Sequence, residues 1–238
     1  MIANLNELTI SNDGPRPGWQ KLADNSAVST NGSVKVHFRD LEQRIVDHIR
    51  HAQVVVGCVA WLTSDVILRA LACVPKGVSI VVQKEDFLRP DISTKNNWKA
   101  TLQRMYAGLK QPLDRFAVGG IVGELSVCTD STIDPVRCVG NHNRDKKPAF
   151  PRMHNKFLVF CDVDETDPRC GFGIRPHTVW TGSFNLTRNA GMSLENALVL
   201  TDLNVVLAYF HEWEQILALS EPLDWDSDWC APQWRVGT

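Results

Sequence analysis

The sequence has no CxxC pair, no internal repeat, no low-complexity tract and almost no net charge, −2 at neutral pH. Each absence removes a class of protein. Seven cysteines (Cys58, Cys73, Cys128, Cys138, Cys161, Cys170 and Cys230) are an odd and scattered set, so reduced thiols are expected rather than a disulfide framework. A zinc cluster drawn from Cys128, Cys138, His142 and Cys170 matches no standard finger or ribbon spacing, and no metal or other cofactor is expected. No apolar run approaches the roughly 20 residues that span a bilayer. The opening "MIANLNELTISNDGPRPGWQ" has neither the basic start nor the apolar stretch of a signal peptide, so the expectation is a soluble, cytoplasmic protein that does not act from a membrane. A balance near zero says nothing about partners as a whole, and only local charge is informative.

What is present is a globular composition, 44% hydrophobic and 22% charged over 238 residues, enough for one large core. Residues 1–32 are rich in Asn, Ser, Gly and Pro and read as an extended arm. From Val34 the pattern sharpens. "VKVHF" alternates like a strand, Asp40 is placed to cap a helix carrying Leu41, Ile45 and Ile49, and Gln43 sits in the capping-box position. "VVVGCVA" and "GVSIVV" read as buried strands on either side of a helix opened by Ser64. A further helix is expected over "TKNNWKATLQRMYAGLK", short strands at "ELSVC", "PVRCV", "KFLVF", "HTVWT" and "NALVL", and a long amphipathic helix at "DLNVVLAYFHEWEQILALS". Alternating strands and helices imply an α/β fold, a mixed β-sheet with helices on both faces. Residues 33–220 form that domain. Residues 221–238 form a tail whose Trp225, Trp229 and Trp234 are read as plugging the edge of a core.

Two motifs carry chemistry. In "PRMHNKFLVF" (residues 151–160), His154 and Lys156 are two apart and share one face of a strand. Alone, the pair also fits a partly buried histidine satisfied by the backbone. In "TGSFNLTRNAGMSLENALVL" (residues 181–200), Gly182 permits a tight turn or a close backbone approach. Ser183 and Asn185 offer a hydroxyl and an amide on one side, and Glu195 precedes another apolar run. The plainer alternative is a Gly-Ser turn with an asparagine cap. A cation, an imidazole, an amide and a hydroxyl together suit an anion with several oxygens, such as a phosphate.

"HNK", then "GSFN", then a glutamate ten residues after the asparagine resemble the His-Lys-Asp signature of the phospholipase D superfamily, over the phospholipase D-like α/β/α catalytic domain expected at 33–220. The resemblance implies a metal-independent phosphodiesterase with His154 as nucleophile. Lys156, Ser183 and Asn185 would offset charge on the phosphoryl oxygens, and Glu195 would orient the imidazole. One position departs: the signature's aspartate, five residues after the lysine, is here Cys161, with Asp162 one place late. "DVDETDPRCGFGIRP" reads as a polar hairpin or loop inserted between two strands. The chain has a single His-x-Lys motif, whereas the chemistry implied by the resemblance uses two histidines. A homodimer with one composite site on its two-fold axis supplies the second, and His142 is the first candidate within the chain if it does not.

The substrate is argued from local charge. Between residues 137 and 156, Arg137, Arg144, Lys146, Lys147, Arg152 and Lys156 stand against Asp145 alone, a basic stretch suited to the backbone of DNA or RNA. Lys95, Lys99, Arg104 and Lys110 would extend the track. The expected activity is thus an endonuclease, and since the superfamily includes a restriction endonuclease, a role in DNA restriction or antiphage defence is implied by the same resemblance. Two alternatives stand: a lipid or small-molecule phosphodiesterase, and a non-catalytic nucleic-acid-binding subunit.

Overall fold

A computed structural model describes residues 22–84, 98–109, 113–114, 118, 120, 122, 132–140, 151–164 and 173–223. In chain order its elements are β1 (Ala27–Val28), β2 (Val34–His37), α1 (Leu41–His51), β3 (Val54–Val59), α2 (Asp65–Leu71), β4 (Gly77–Gln83) and α3 (Trp98–Ala107). They continue with β5 (Leu113–Asp114), β6 (Thr132–Ile133), β7 (Val136–Val139), β8 (Lys156–Asp164), β9 (Gly173–Gly182), β10 (Ala197–Leu200), α4 (Leu203–Ala218) and β11 (Glu221–Pro222). Nine strands form one sheet in the order β1-β2-β10-β9-β8-β3-β4-β7-β11, and β5 pairs with β6 apart from it.

The all-apolar run of β3 requires cover on both faces, and it has it. Val55 and Val59 point into a core shared with Ile45 and Ile49 of α1, Leu68 and Leu71 of α2 and Leu102 of α3. Val54, Val56 and Cys58 point the other way, into a core with Phe210, Trp213 and Leu217 of α4. The result is three layers, helix on sheet on helix, as the sequence implied. The central strands β3, β4 and β7 run parallel, while β8, β9, β10, β2 and β1 follow one another antiparallel.

Several local expectations need correction. Ser64 does cap α2, accepting from Ile67 N. Asp40 stands at the N-cap of α1 but makes no side-chain cap bond, because its backbone is left-handed (φ 55°), and Gln43 donates to Asp47 instead of reaching back. The arm is not wholly outside the domain: β1 adds a strand to the edge of the sheet. At the other end β11, which opens the expected tail, pairs with β7. The inserted segment is a hairpin whose strands reach Asp164 and restart at Gly173. The "ELSVC" strand, Trp225, Trp229, Trp234 and arm residues 1–21 lie outside the described residues. No helix of the described residues is long and apolar enough to cross a membrane.

Candidate active site

β8 and β9 are neighbours in a hairpin, so the start of one lies beside the end of the other: Phe157 pairs with Thr181. This closes the sequence gap between the two motifs. Because β8 also runs antiparallel to β3, the same rim holds the carboxyl end of the parallel strands, where sites of open α/β sheets form.

Three anchors fix the approach to β8. Met153 is buried and its N–H donates to Gln83 Oε1 (2.6 Å), Ala60 N–H donates to Asn155 O (2.8 Å), and Lys156 pairs with Val59. His154, between them, is exposed. Its ring meets Trp61 edge to face, with centroids 5.5 Å apart. Lys156 Nζ donates to His154 O (3.0 Å) and stands 3.3 Å and 3.4 Å from the two ring nitrogens. Partial burial holds the lysine below the usual ammonium range, and the charge of Glu195 opposes that shift. The imidazole, just before β8, and the ammonium at its first residue therefore lie together.

On the other strand, Gly182 (φ 149°) permits the close approach: a Cβ there would lie 2.4 Å from Asn196 O and 2.8 Å from Ala197 Cα, so β10 can pass directly against it. Beyond it the period of two continues. Phe184 and Leu186 enter the core, and Leu186 O accepts from Thr63 N and Ser64 N at 2.9 Å each. Ser183 and Asn185 are left on the outer side. Ser183 donates its hydroxyl to Glu195 Oε2 and accepts from Asn196 N (3.1 Å). Glu195 thus holds Ser183 and acts electrostatically on Lys156. Asn185 and Glu195 line a pocket of about 410 Å³ with Trp61, Thr63 and Arg188.

The basic set fares differently. Arg137 is no surface contact: it is 2% exposed. Its guanidinium donates to Ser220 Oγ (2.7 Å) and Ser220 O (2.9 Å) and pairs with Asp134. A cation at the carboxyl end of α4 meets the negative end of the helix dipole, which accounts for its inward turn. Arg152 is half-buried two residues before His154. Arg144, Lys146, Lys147 and His142 lie outside the described residues, as do Lys95, Lys110, Cys128 and Cys170. Lys99 is buried within α3, which takes it out of a surface track, whereas Arg104 is exposed and donates back to Ala100 O and Thr101 Oγ1 of its own helix. Cys161 is fully buried against α4-side residues, and its burial pushes the thiol up. Asp162, past a bulge, faces Arg175 and His177 at the far end of the hairpin.

Sequence reading missed Trp61, Thr63 and Arg188. The one available signal was position: Trp61 follows a buried parallel strand at its carboxyl end.

No protein-family model matches the chain. It is 32% identical over 237 residues to the uncharacterized protein L381 of Acanthamoeba polyphaga mimivirus, covering 94% of this chain and 75% of that protein. Among solved structures it is similar to Nuc, a phospholipase D family member from Salmonella typhimurium (18% identity, TM-score 0.47, 79% of this chain and 95% of that one). It is also similar to NucT from Helicobacter pylori (17%, 0.45, 79% and 96%) and to phosphatidylserine synthase from Haemophilus influenzae Rd KW20 (17%, 0.41, 85% and 43%). The chain belongs to one family with the mimivirus protein L381, and its His-x-Lys and Gly-Ser-x-Asn motifs are gathered on one rim of a mixed α/β sheet.

Proposed function

We propose that the chain is a metal-independent phosphodiesterase, an endonuclease acting on DNA or RNA through a covalent phosphohistidine. The observation that carries this reading is the convergence on one rim of an exposed imidazole, an ammonium within 3.4 Å of both its nitrogens, and the Ser183–Glu195 pair. A nitrogen lone pair of His154 attacks phosphorus and the ester oxygen leaves, splitting one displacement into two. A second histidine protonates the leaving oxygen and then takes a proton from the attacking water. Lys156 and the Asn185 amide offset the charge that builds on the phosphoryl oxygens, work that metal ions do in many phosphoryl-transfer enzymes, and the Ser183 hydroxyl, whose one proton goes to Glu195 here, joins them by turning from that carboxylate. Glu195, expected to orient the imidazole, bonds Ser183 here and supports the positive charge of Lys156. The second histidine is His154 of another copy, so the active form is a homodimer with one composite site.

The buried place of Cys161 supports activity despite the departure from the signature. A carboxylate there would sit in the core rather than at the rim, so the non-catalytic alternative loses its main argument. The test is cleavage of labelled DNA, RNA and phosphatidylcholine by purified protein, with and without EDTA. Nucleic acid should be cut with chelator present, and His154→Ala should abolish the cut. Full inhibition by EDTA reversed by magnesium, or cleavage of lipid alone, overturns the reading. Co-refolding equal amounts of wild type and His154→Ala should leave roughly a quarter of the activity by random pairing, whereas independent sites would leave about half.

A further inference from the structure

The pocket beside the imidazole is larger than a phosphate needs. At about 410 Å³ it falls within the range of small-molecule sites. Trp61 joins it to the reacting group, since the indole both lines the pocket and contacts the His154 ring. Asn185 and Glu195 stand in its wall. Whatever is attached to a phosphorus held at His154 therefore has this space next to it.

The wall also says what kind of group enters. It combines one indole with the hydroxyls of Thr63, Thr187 and Ser193, the amide of Asn185 and the guanidinium of Arg188. An acyl chain would fit the apolar part of this wall but would leave the Asn185 amide and the Arg188 guanidinium without partners. Asn185 Oδ1 is buried and has no hydrogen-bond partner among the described residues. A phosphate diester has no proton to donate to that acceptor, whereas the edge of a nucleobase or a sugar hydroxyl does. The indole offers a surface on which any base can stack. Glu195 beside Trp61 resembles half of a site for a quaternary ammonium, but its carboxylate is engaged by Ser183 and faces the charge of Lys156.

We propose that this pocket takes one nucleoside unit adjoining the scissile phosphate, laid against Trp61, and thereby selects single-stranded over duplex nucleic acid. The proposal rests on the nucleic-acid reading above. The pocket has room for a single nucleoside and not for a stacked pair with both backbones, so a base in a duplex must leave its stack to reach it. Trp61 is then a specificity residue, and Asn185 spans the phosphate and the base.

The test reads binding without catalysis. Adenosine and thymidine 5′-monophosphates, inorganic phosphate and phosphocholine are titrated calorimetrically into wild type, Trp61→Ala and Trp61→Phe. The nucleotides should bind about tenfold more tightly than inorganic phosphate, the scale of one stacked base. Trp61→Ala should remove that advantage and Trp61→Phe should restore most of it. Equal affinity for nucleotide and phosphate in wild type, tighter binding of phosphocholine, or a nucleotide advantage that survives Trp61→Ala each overturns the pocket assignment. The wild-type comparison decides even if the alanine variant does not fold. A protein that cuts nucleic acid without preferring nucleotides to phosphate sinks the pocket and leaves the activity. One that prefers nucleotides but cuts no nucleic acid sinks the activity and leaves the pocket.

Discussion

The parallel and antiparallel halves of the sheet are built on different terms. β3 and β4 are buried along their whole length, with side chains alternating between two cores. β8, β9 and β10 carry polar residues at their ends, and the proposed chemistry comes from that half: His154 and Lys156 at the start of β8, Ser183 after the end of β9, Glu195 before β10. A parallel pair brings like ends together and needs a long crossover. An antiparallel hairpin brings the beginning of one strand to the end of the next, which joins two distant motifs. One half is scaffold, and the other sets the reacting groups against it.

The seam between the halves is the most sensitive point of that division. Gly57 in β3 lies opposite Leu158, and a Cβ there would fall 2.3 Å from Phe157 O and 2.9 Å from Leu158 Cα. Both are backbone and cannot swing aside. Gly57→Val should destabilise the protein by about 3 kcal/mol and take the activity with it, as read by chemical denaturation and cleavage assay. An unchanged midpoint would mean that the halves are not held at this contact.

Acid should separate the halves more gently. His37 of β2 stacks on Trp180, and His48 of α1 stacks on Phe160 and tilts against Trp180. Burial holds both imidazoles below the ordinary histidine range. Arg44 and Lys35 add to this at His37 against Asp24, and His37, Lys35 and His51 add to it at His48 against Asp47. Below about pH 6.5 the unfolded chain binds protons that the folded one does not. Stability from these groups is therefore full above that pH and falls as pH drops through the folded values. Thermal midpoints should decline on acidification, and His48→Gln should flatten the decline. Equal slopes would place the acid sensitivity elsewhere.

The smallest effect is expected at Cys161. Cys161→Ala removes one buried sulfur, should cost about 1 kcal/mol, and should leave turnover unchanged because the residue sits away from the rim. A folded but inactive variant would tie this position to the chemistry after all.

These elements also show what the sequence could tell. The runs of β3, β4 and β8 were legible because burial on both faces leaves long apolar stretches, interrupted within β4 only by Ser79 and bounded by polar residues at the ends of β4 and β8. The proposed site could be assembled from the sequence because His154 and Lys156, and likewise Ser183 and Asn185, stand two residues apart. Arg137 was misread for the opposite reason: a charge in a short strand reads as surface, and its partner, Ser220, lies 83 residues away in sequence. Asp40 has the chemistry of a cap, but a backbone angle withholds it. β1 and β11 have two residues each, too few for any period, and only pairing with a neighbour defines them. Trp61 reads as one more apolar residue until β8 brings His154 against it.

One further consequence comes from Gln83. Its side-chain carbonyl receives the Met153 N–H, its amide donates to Lys84 O, and Gly140 packs on the same group. Both ends of the stretch from 140 to 153 are thus docked on one glutamine in the scaffold. The proposed nucleophile, His154, is therefore registered on scaffold strand β4 through the one glutamine that receives the Met153 N–H.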